Sequence, residues 1–158
     1  MNYKLRFFVL ATWLFSFPVL ADTSLIRLDN SPHALMQNVG LSEVAITGGF
    51  WQKKQEANRK VSLELLWDRA TNEEYGYALS NFKIAAGMKE GKHQGVAWQD
   101  AWIYKWIESA CYVYAATPDE SLVKRMDSLL PIIAKAQEDD GYIATQVTAG
   151  KFPRRWMQ

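Results

Sequence analysis

Cysteine is nearly absent from the sequence: Cys111 stands alone among 158 residues. No disulfide can form within the chain, so the fold must hold by packing. Excess charge of either sign is also missing, with a formal net charge of +1. That balance argues against nucleic acid as a partner. Histidine occurs twice, as His33 and His93, and neither has a neighbour at metal-ligand spacing. Both read as ordinary surface residues, and no metal site is expected in the chain. There is no internal repeat, low-complexity tract or interdomain linker. The one long apolar run covers 7–20 and is broken by Thr12, Ser16 and Pro18. It falls short of the roughly 20 residues that a bilayer-spanning helix needs.

What stands around that run gives it a different meaning. Lys4 and Arg6 precede it, and Val19 and Ala21 place small side chains before a cut that would leave Asp22 first. This is the pattern of a cleavable export signal over 1–21. The mature chain is expected to be secreted or periplasmic, with no membrane association after cleavage. No cysteine follows the cut to carry a lipid. Cleavage removes Lys4 and Arg6, which leaves acidic residues one ahead of basic ones. An export signal also implies that the true beginning of the protein is present, so that any missing chain belongs on the C-terminal side.

The remaining length suits one small domain. Residues 22–40 show no sustained period and contain Asn30, Ser31 and Pro32, which predicts an extended lead-in. Over 41–158 the pattern is helical. Val44, Ile46 and the Gly48-Gly49 pair lead into a helix over 52–70, with Ala57, Val61 and Leu65 on successive turns. A shorter helix is predicted over 80–89, ending at Gly91. The segment 98–116 holds Trp98, Trp102, Ile103, Trp106, Ile107, Ala110, Cys111, Val113 and Tyr114. A helix apolar nearly all round is a buried one, and Cys111 on it reads as an inert buried thiol. Thr117, Pro118 and Glu120 form a capping pattern that restarts the chain. Leu122, Met126, Leu129, Ile133 and Ala134 then make a stripe on a helix that Gly141 ends. A buried helix joined by a tight corner to an amphipathic one is an antiparallel hairpin, and such hairpins set in a ring build a helical toroid.

Particular motifs carry a resemblance. Asn81-Phe82 with Ala85-Ala86-Gly87 come first, then Gly95, Trp98-Gln99-Asp100 and Tyr104-Lys105-Trp106-Ile107-Glu108. Ala136-Gln137-Glu138-Asp139-Asp140-Gly141-Tyr142-Ile143 closes the series, and upstream an aliphatic run leads into Gly49-Phe50-Trp51 with Asn58-Arg59 after it. In this order and spacing, from about Leu41 onward, the chain resembles the N-terminal part of glycoside hydrolase family 127, the β-L-arabinofuranosidase family. The resemblance implies an all-α fold, the first helices of an (α/α)6 barrel, incomplete in this chain. It implies a carbohydrate substrate and retaining hydrolysis, in which a zinc-held cysteine thiolate is the nucleophile and a glutamate the acid and base. Zinc is thus expected in the full-length family member. None of those catalytic residues or zinc ligands maps onto this chain, Cys111 included, so no catalytic residue and no cofactor is assigned within it. The chain alone is expected to be inactive.

Five residues remain as substrate-binding candidates. The resemblance puts Trp98, Gln99 and Asp100 near the sugar pocket, where an aromatic face packs on a sugar and a carboxylate accepts its hydroxyls. Equally, they form an aromatic helix start capped by Asp100. The family's usual Asp-Ser-Asp is replaced here by Asp100-Ala101-Trp102. Gln137 and Tyr142 flank the turn at Asp139, Asp140 and Gly141 and either border a cleft or form a polar helix end. Adjacent carboxylates in a turn diverge, so Asp139 and Asp140 read as solvated. Lys151, Arg154 and Arg155 read as a solvated basic end. The function expected from all of this is an exported β-L-arabinofuranosidase-type hydrolase of glycan side chains. Two alternatives remain open: a noncatalytic carbohydrate-binding or assembly module, and a helical-toroid lyase or epimerase.

Overall fold

The computed structural model describes residue 28, residues 30–153 and residue 155. The export signal over 1–21, and with it the cut before Asp22, lies outside the described residues, as does Arg154. Residues 30–39 are exposed, without regular structure beyond a turn. A 3-10 turn at Leu41–Glu43 leads into extended chain and then into α1 (Gly49–Ala57). After it come a π-helical turn at Asn58–Ser62, α2 (Leu63–Thr71), α3 (Ala78–Ala85), α4 (Ala101–Ala116), α5 (Glu120–Ala136) and the single turn α6 (Thr145–Thr148). No strand occurs among the described residues.

The core is built from α2, α3, α4 and α5. Leu63 and Ala70 come from α2, Ala78 and Phe82 from α3, Ile103, Trp106, Ala110 and Val113 from α4, and Leu122, Leu129 and Ala136 from α5. Trp106 is its centre. The indole is fully buried, lies 4.5 Å from the Trp67 ring, and donates from Nε1 to the Leu63 carbonyl at 3.2 Å. A buried indole thus has both an apolar neighbour and a partner for its N–H. Arg125 of α5 spans to α2, where it lies 5.3 Å from the centre of the Trp67 ring and contacts both Glu64 oxygens at 2.8 and 2.9 Å.

Several expectations are corrected. In the first long helix the stripe of Ala57, Val61 and Leu65 faces solvent, and Leu63, Leu66, Trp67 and Ala70 turn inward. The π turn inserts extra chain between the two halves, so a register counted from α1 does not carry into α2. Helix α3 ends at Ala85 rather than near Gly91, because Gly87 (φ +64°) takes the left-handed position after it. There the Gly87 N–H donates to the Ile84 carbonyl at 2.9 Å and that of Met88 to Lys83 at 2.8 Å, closing a Schellman motif.

Helix α4 begins at Ala101, and only one stripe of it is buried. Tyr104, Lys105, Glu108, Cys111 and Tyr112 are exposed, because the described helices cover one side of α4 alone. Cys111 is therefore an exposed thiol, 3.6 Å from the Met126 sulfur, and not a buried one. The cap of α5 is Asp119, whose carboxylate accepts from the Ser121 N–H at 2.9 Å, and not Thr117. The hairpin corner at 117–119 stands, yet α5 rests more on α3 than on α4, while α4 rests on α2. On α5, Leu122, Leu129 and Ala136 are buried and Ala134 is exposed. Pro131 sits inside this helix, which stops at Ala136, so Gly141 belongs to the turn beyond it.

Candidate functional site

The five candidates lie at one end of the helices, where loops gather around the start of α4. Asp100 precedes α4, yet its side chain makes no cap bond there. It crosses instead to α6. One carboxylate oxygen accepts from the Thr145 N–H at 2.8 Å and the other from the Thr145 hydroxyl. Asp100 is 9 % exposed, and burial raises its pKa while the two Thr145 bonds pull it down. Gln99 is buried as well. It donates from Nε2 to the Gly76 carbonyl and accepts from the Val96 N–H at 3.4 Å. Neither side chain faces an open cleft. Both are ties between loops, so the expectation of a capping Asp100 is corrected.

Gly95 shows how tightly this end is closed. Its φ is +76°, and a Cβ placed there would meet the Gln99 Oε1 at 2.8 Å. Next to it, Tyr77 holds a left-handed backbone (φ +57°) as the residue preceding α3 and donates its hydroxyl to the Glu74 carbonyl at 2.6 Å. A left-handed Tyr costs energy and persists because surrounding contacts fix it.

Trp98 alone of the α4 triplet is open, at 69 % exposure. Gln137 donates from Nε2 to the Gly141 carbonyl at 2.9 Å and closes its own turn. Tyr142 is half-buried and lies under the Arg155 guanidinium, 4.1 Å from the ring centre. The turn and the start of α4 are joined through α6. Thr145 bonds Asp100, and the Thr148 hydroxyl bonds Glu138 at 3.1 Å.

Residues that sequence reasoning assigned no role complete this end. The Asn81 side chain pairs with both backbone groups of Gln94, at 2.9 Å each. The Lys151 ammonium donates to the Gly95 carbonyl at 2.6 Å. Arg155 pairs with Glu138 and with Asp140, the latter at 2.5 Å, and holds the Asp140 carboxyl below its usual pKa. Asp139 and Asp140 are exposed, as expected for turn residues, while Arg155, expected to be solvated, pairs with Glu138 and Asp140. His93 is the largest correction. It is 8 % exposed, its two ring nitrogens have no hydrogen-bond partner among the described residues, and its backbone N–H donates to the Ala149 carbonyl at 2.9 Å. Burial and, after it, Lys151 lower its pKa from 6.5 to about 4. A loop with this composition gives no periodic signal, so its burial was invisible in sequence.

Chemically, this end offers an exposed indole and a seam of polar ties between loops. Its buried carboxylate, Asp100, is hydrogen-bonded to Thr145, and the Glu138 and Asp140 carboxylates pair with Arg155. Among the described residues no group of three His, Cys, Asp or Glu side chains stands where it could hold a metal ion. The donors for a zinc ion do not assemble here. No described helix is long and apolar enough to cross a membrane.

An all-α packing of paired helices around one core, with its polar loops at one end, defines a piece of a helical (α/α)6 toroid. The family model for the β-L-arabinofuranosidase GH127 catalytic domain matches residues 43–158, and the chain belongs to that family. It is similar to a non-reducing end β-L-arabinofuranosidase of Bifidobacterium longum subsp. longum, at 31 % identity over 130 residues, covering 71 % of this chain and 20 % of the relative. Among solved structures it is similar to a GH127 β-L-arabinofuranosidase from Geobacillus stearothermophilus T6, with a TM-score of 0.67 and 29 % identity, covering 72 % of this chain and 18 % of that one. A second GH127 β-arabinofuranosidase structure gives a TM-score of 0.63 and 34 % identity, over 69 % of this chain and 17 % of its own. The chain thus spans about a fifth of the length of these relatives.

Proposed function

We propose that the chain is the N-terminal part of the catalytic domain of an exported glycoside hydrolase that removes β-L-arabinofuranose from glycan side chains, and that it is inactive by itself. The match of residues 43–158 to a catalytic domain of this specificity carries the reading. Export rests on Lys4, Arg6 and the apolar run behind them. Inactivity rests on the site. A retaining hydrolase needs a nucleophile and a carboxyl group that is free to give and take a proton. Here Asp100 is spent on Thr145, and Glu138 and Asp140 on Arg155. The zinc and its ligands belong to the larger enzyme in this proposal, and no residue of this chain is given a part in holding it. What the chain contributes is a wall, with Trp98 as the aromatic surface on which a sugar packs.

The test is an assay on nitrophenyl β-L-arabinofuranoside. The 158-residue chain should give no turnover above buffer. Its fusion to the uncovered four-fifths of the Bifidobacterium relative should hydrolyse the substrate. Turnover by the short chain would overturn its inactivity, and a folded but inert fusion would count against the hydrolase reading. For export, a reporter enzyme active only outside the cytoplasm, fused after residue 30, should be active. Retention in the cytoplasm would remove that part of the proposal.

A further inference from the structure

The loop that joins α3 to α4 carries Trp98 at its end and is fastened on two sides. From α3, the fully buried Asn81 carboxamide holds both backbone groups of Gln94, and at the entry of α4 the Gln99 side chain accepts from the Val96 N–H. Two further ties run to the α6 side. The His93 backbone N–H donates to the Ala149 carbonyl at 2.9 Å, and the Lys151 ammonium donates to the Gly95 carbonyl at 2.6 Å. Gly91 (φ +142°) precedes the tied residues and Gly95 (φ +76°) lies among them, so the backbone can turn where an ordinary residue would resist. None of these loop residues belongs to the hydrophobic core around Trp106.

Between the ties lies an imidazole that has none. His93 is 8 % exposed, and neither ring nitrogen meets a hydrogen-bond partner among the described residues. A neutral imidazole already leaves one donor and one acceptor unmet there, and a protonated one leaves two donors and a charge. No neighbour accepts that charge. Lys151, in the segment after α6, repels it, and with burial this outweighs the pull of the ring's own backbone carbonyl. Lys83 of α3 and Lys89 beyond it are held by Glu73, at 3.8 and 3.0 Å, and the Tyr77 hydroxyl is given to the Glu74 carbonyl. Both Asp100 oxygens are on Thr145, and Glu138 and Asp140 pair with Arg155. Glu90 and Lys92 of the same loop are exposed, one of each sign.

We propose that His93 is a proton-operated latch: when its imidazole takes up a proton, the loop around it lifts off α6 and carries Trp98 to a new position, while the helical core stays folded. A charged ring without an acceptor is stabilised by reaching water, and its exit breaks the contact of its own backbone with Ala149. The Lys151 tie goes next, since Gly95 lies only two residues further along the loop. The Asn81 and Gln94 pair remains as the pivot. The direction follows from linkage. The closed loop lowers the His93 pKa from 6.5 to about 4, so closure is fully favoured above pH 6.5 and weakens as pH falls toward 4. Within that window each unit of pH favours the open loop by about tenfold. The latch depends on the geometry of the loop and not on what Trp98 binds, so it stands or falls apart from the hydrolase reading.

The experiment is NMR of the isotope-labelled 158-residue chain from about pH 7 to about pH 4.5. The carbon-bound ring protons of His93 report its protonation, backbone amide exchange reports the ties, and the indole N–H signals report Trp98 and Trp106. As His93 takes its proton, protection of the His93 amide should fall at least about tenfold and the Trp98 indole should shift with the same midpoint, while the Trp106 indole and the amides in the middle of α4 hold. His93→Gln cannot take the proton, so protection of the amide at position 93 should stay within about threefold over the same range. An unchanged His93 amide or Trp98 indole would overturn the latch, as would loss of the α4 amides at the same midpoint, which is global unfolding. A His93→Gln variant that opens with pH as the unmodified chain does would overturn it too. If that variant does not fold, the unmodified chain decides: a ring midpoint shared with the loop supports the latch, and one that differs from the loop overturns it.

Discussion

Asp100 ties the entry of α4 to α6. It satisfies the backbone N–H and the hydroxyl of Thr145, both buried. Asp100→Ala should cost about 2 to 3 kcal/mol in a denaturant titration, because an orphaned buried N–H adds its desolvation cost to the lost bonds. Asp100→Asn keeps an acceptor and should cost less than half of that. His93 behaves in the opposite sense to a stabilising titratable group. Its folded pKa, near 4, lies below the 6.5 of an unfolded histidine, so the unfolded chain binds the extra proton. Its contribution is fully present above pH 6.5 and is lost as pH falls toward 4, by at most about 3 kcal/mol. His93→Gln should flatten that part of a stability profile measured from pH 7 to 4; an unchanged slope would refute the assignment. Neither role was legible beforehand, since each depends on a partner far along the chain, Thr145 for one and the loop around Ala149 and Lys151 for the other.

Helix by helix, the outcome follows how much of each signal is local. The corner at 117–119 and the stripe on α5 were legible because caps and periodicity are local, although the cap itself proved to be Asp119. Asp119→Ala should lower stability by about 1 kcal/mol in a thermal or denaturant melt, and Thr117→Ala by much less. The inward face of α2 was misread because a π turn leaves no mark in composition. Helix α4 was taken as buried all round, since its aromatic side chains look the same in sequence whether a neighbouring helix covers them or solvent does. Tyr104 and Tyr112 stand on the uncovered side.

Taken whole, the molecule is a partial ring whose single core converges on Trp106. Trp106→Ala removes the ring from its place beside Trp67 and orphans the Leu63 contact, and should cost about 3 to 5 kcal/mol. With exposed Val61, Leu65, Tyr104 and Leu130 adding little, that loss should abolish the cooperative melt seen by near-UV circular dichroism. The family was legible from motif order over most of the chain, since those motifs include core positions such as Phe82 and Trp106 as well as loop ties such as Gln99. The site was less legible, because the same motifs do not separate a residue that meets sugar from one that fastens a loop. The seam at the entry of α4 has one more consequence, for the order of events in time. Its bonds join positions 45 residues apart at Asp100 and Thr145 and 56 apart at Gly95 and Lys151, whereas the helices close through neighbours. Contacts that enclose long loops are gained late and released early. The amides of His93 and Thr145 should therefore exchange with deuterium well before those in the middle of α4, and the end of the molecule that presents Trp98 is the end that breathes.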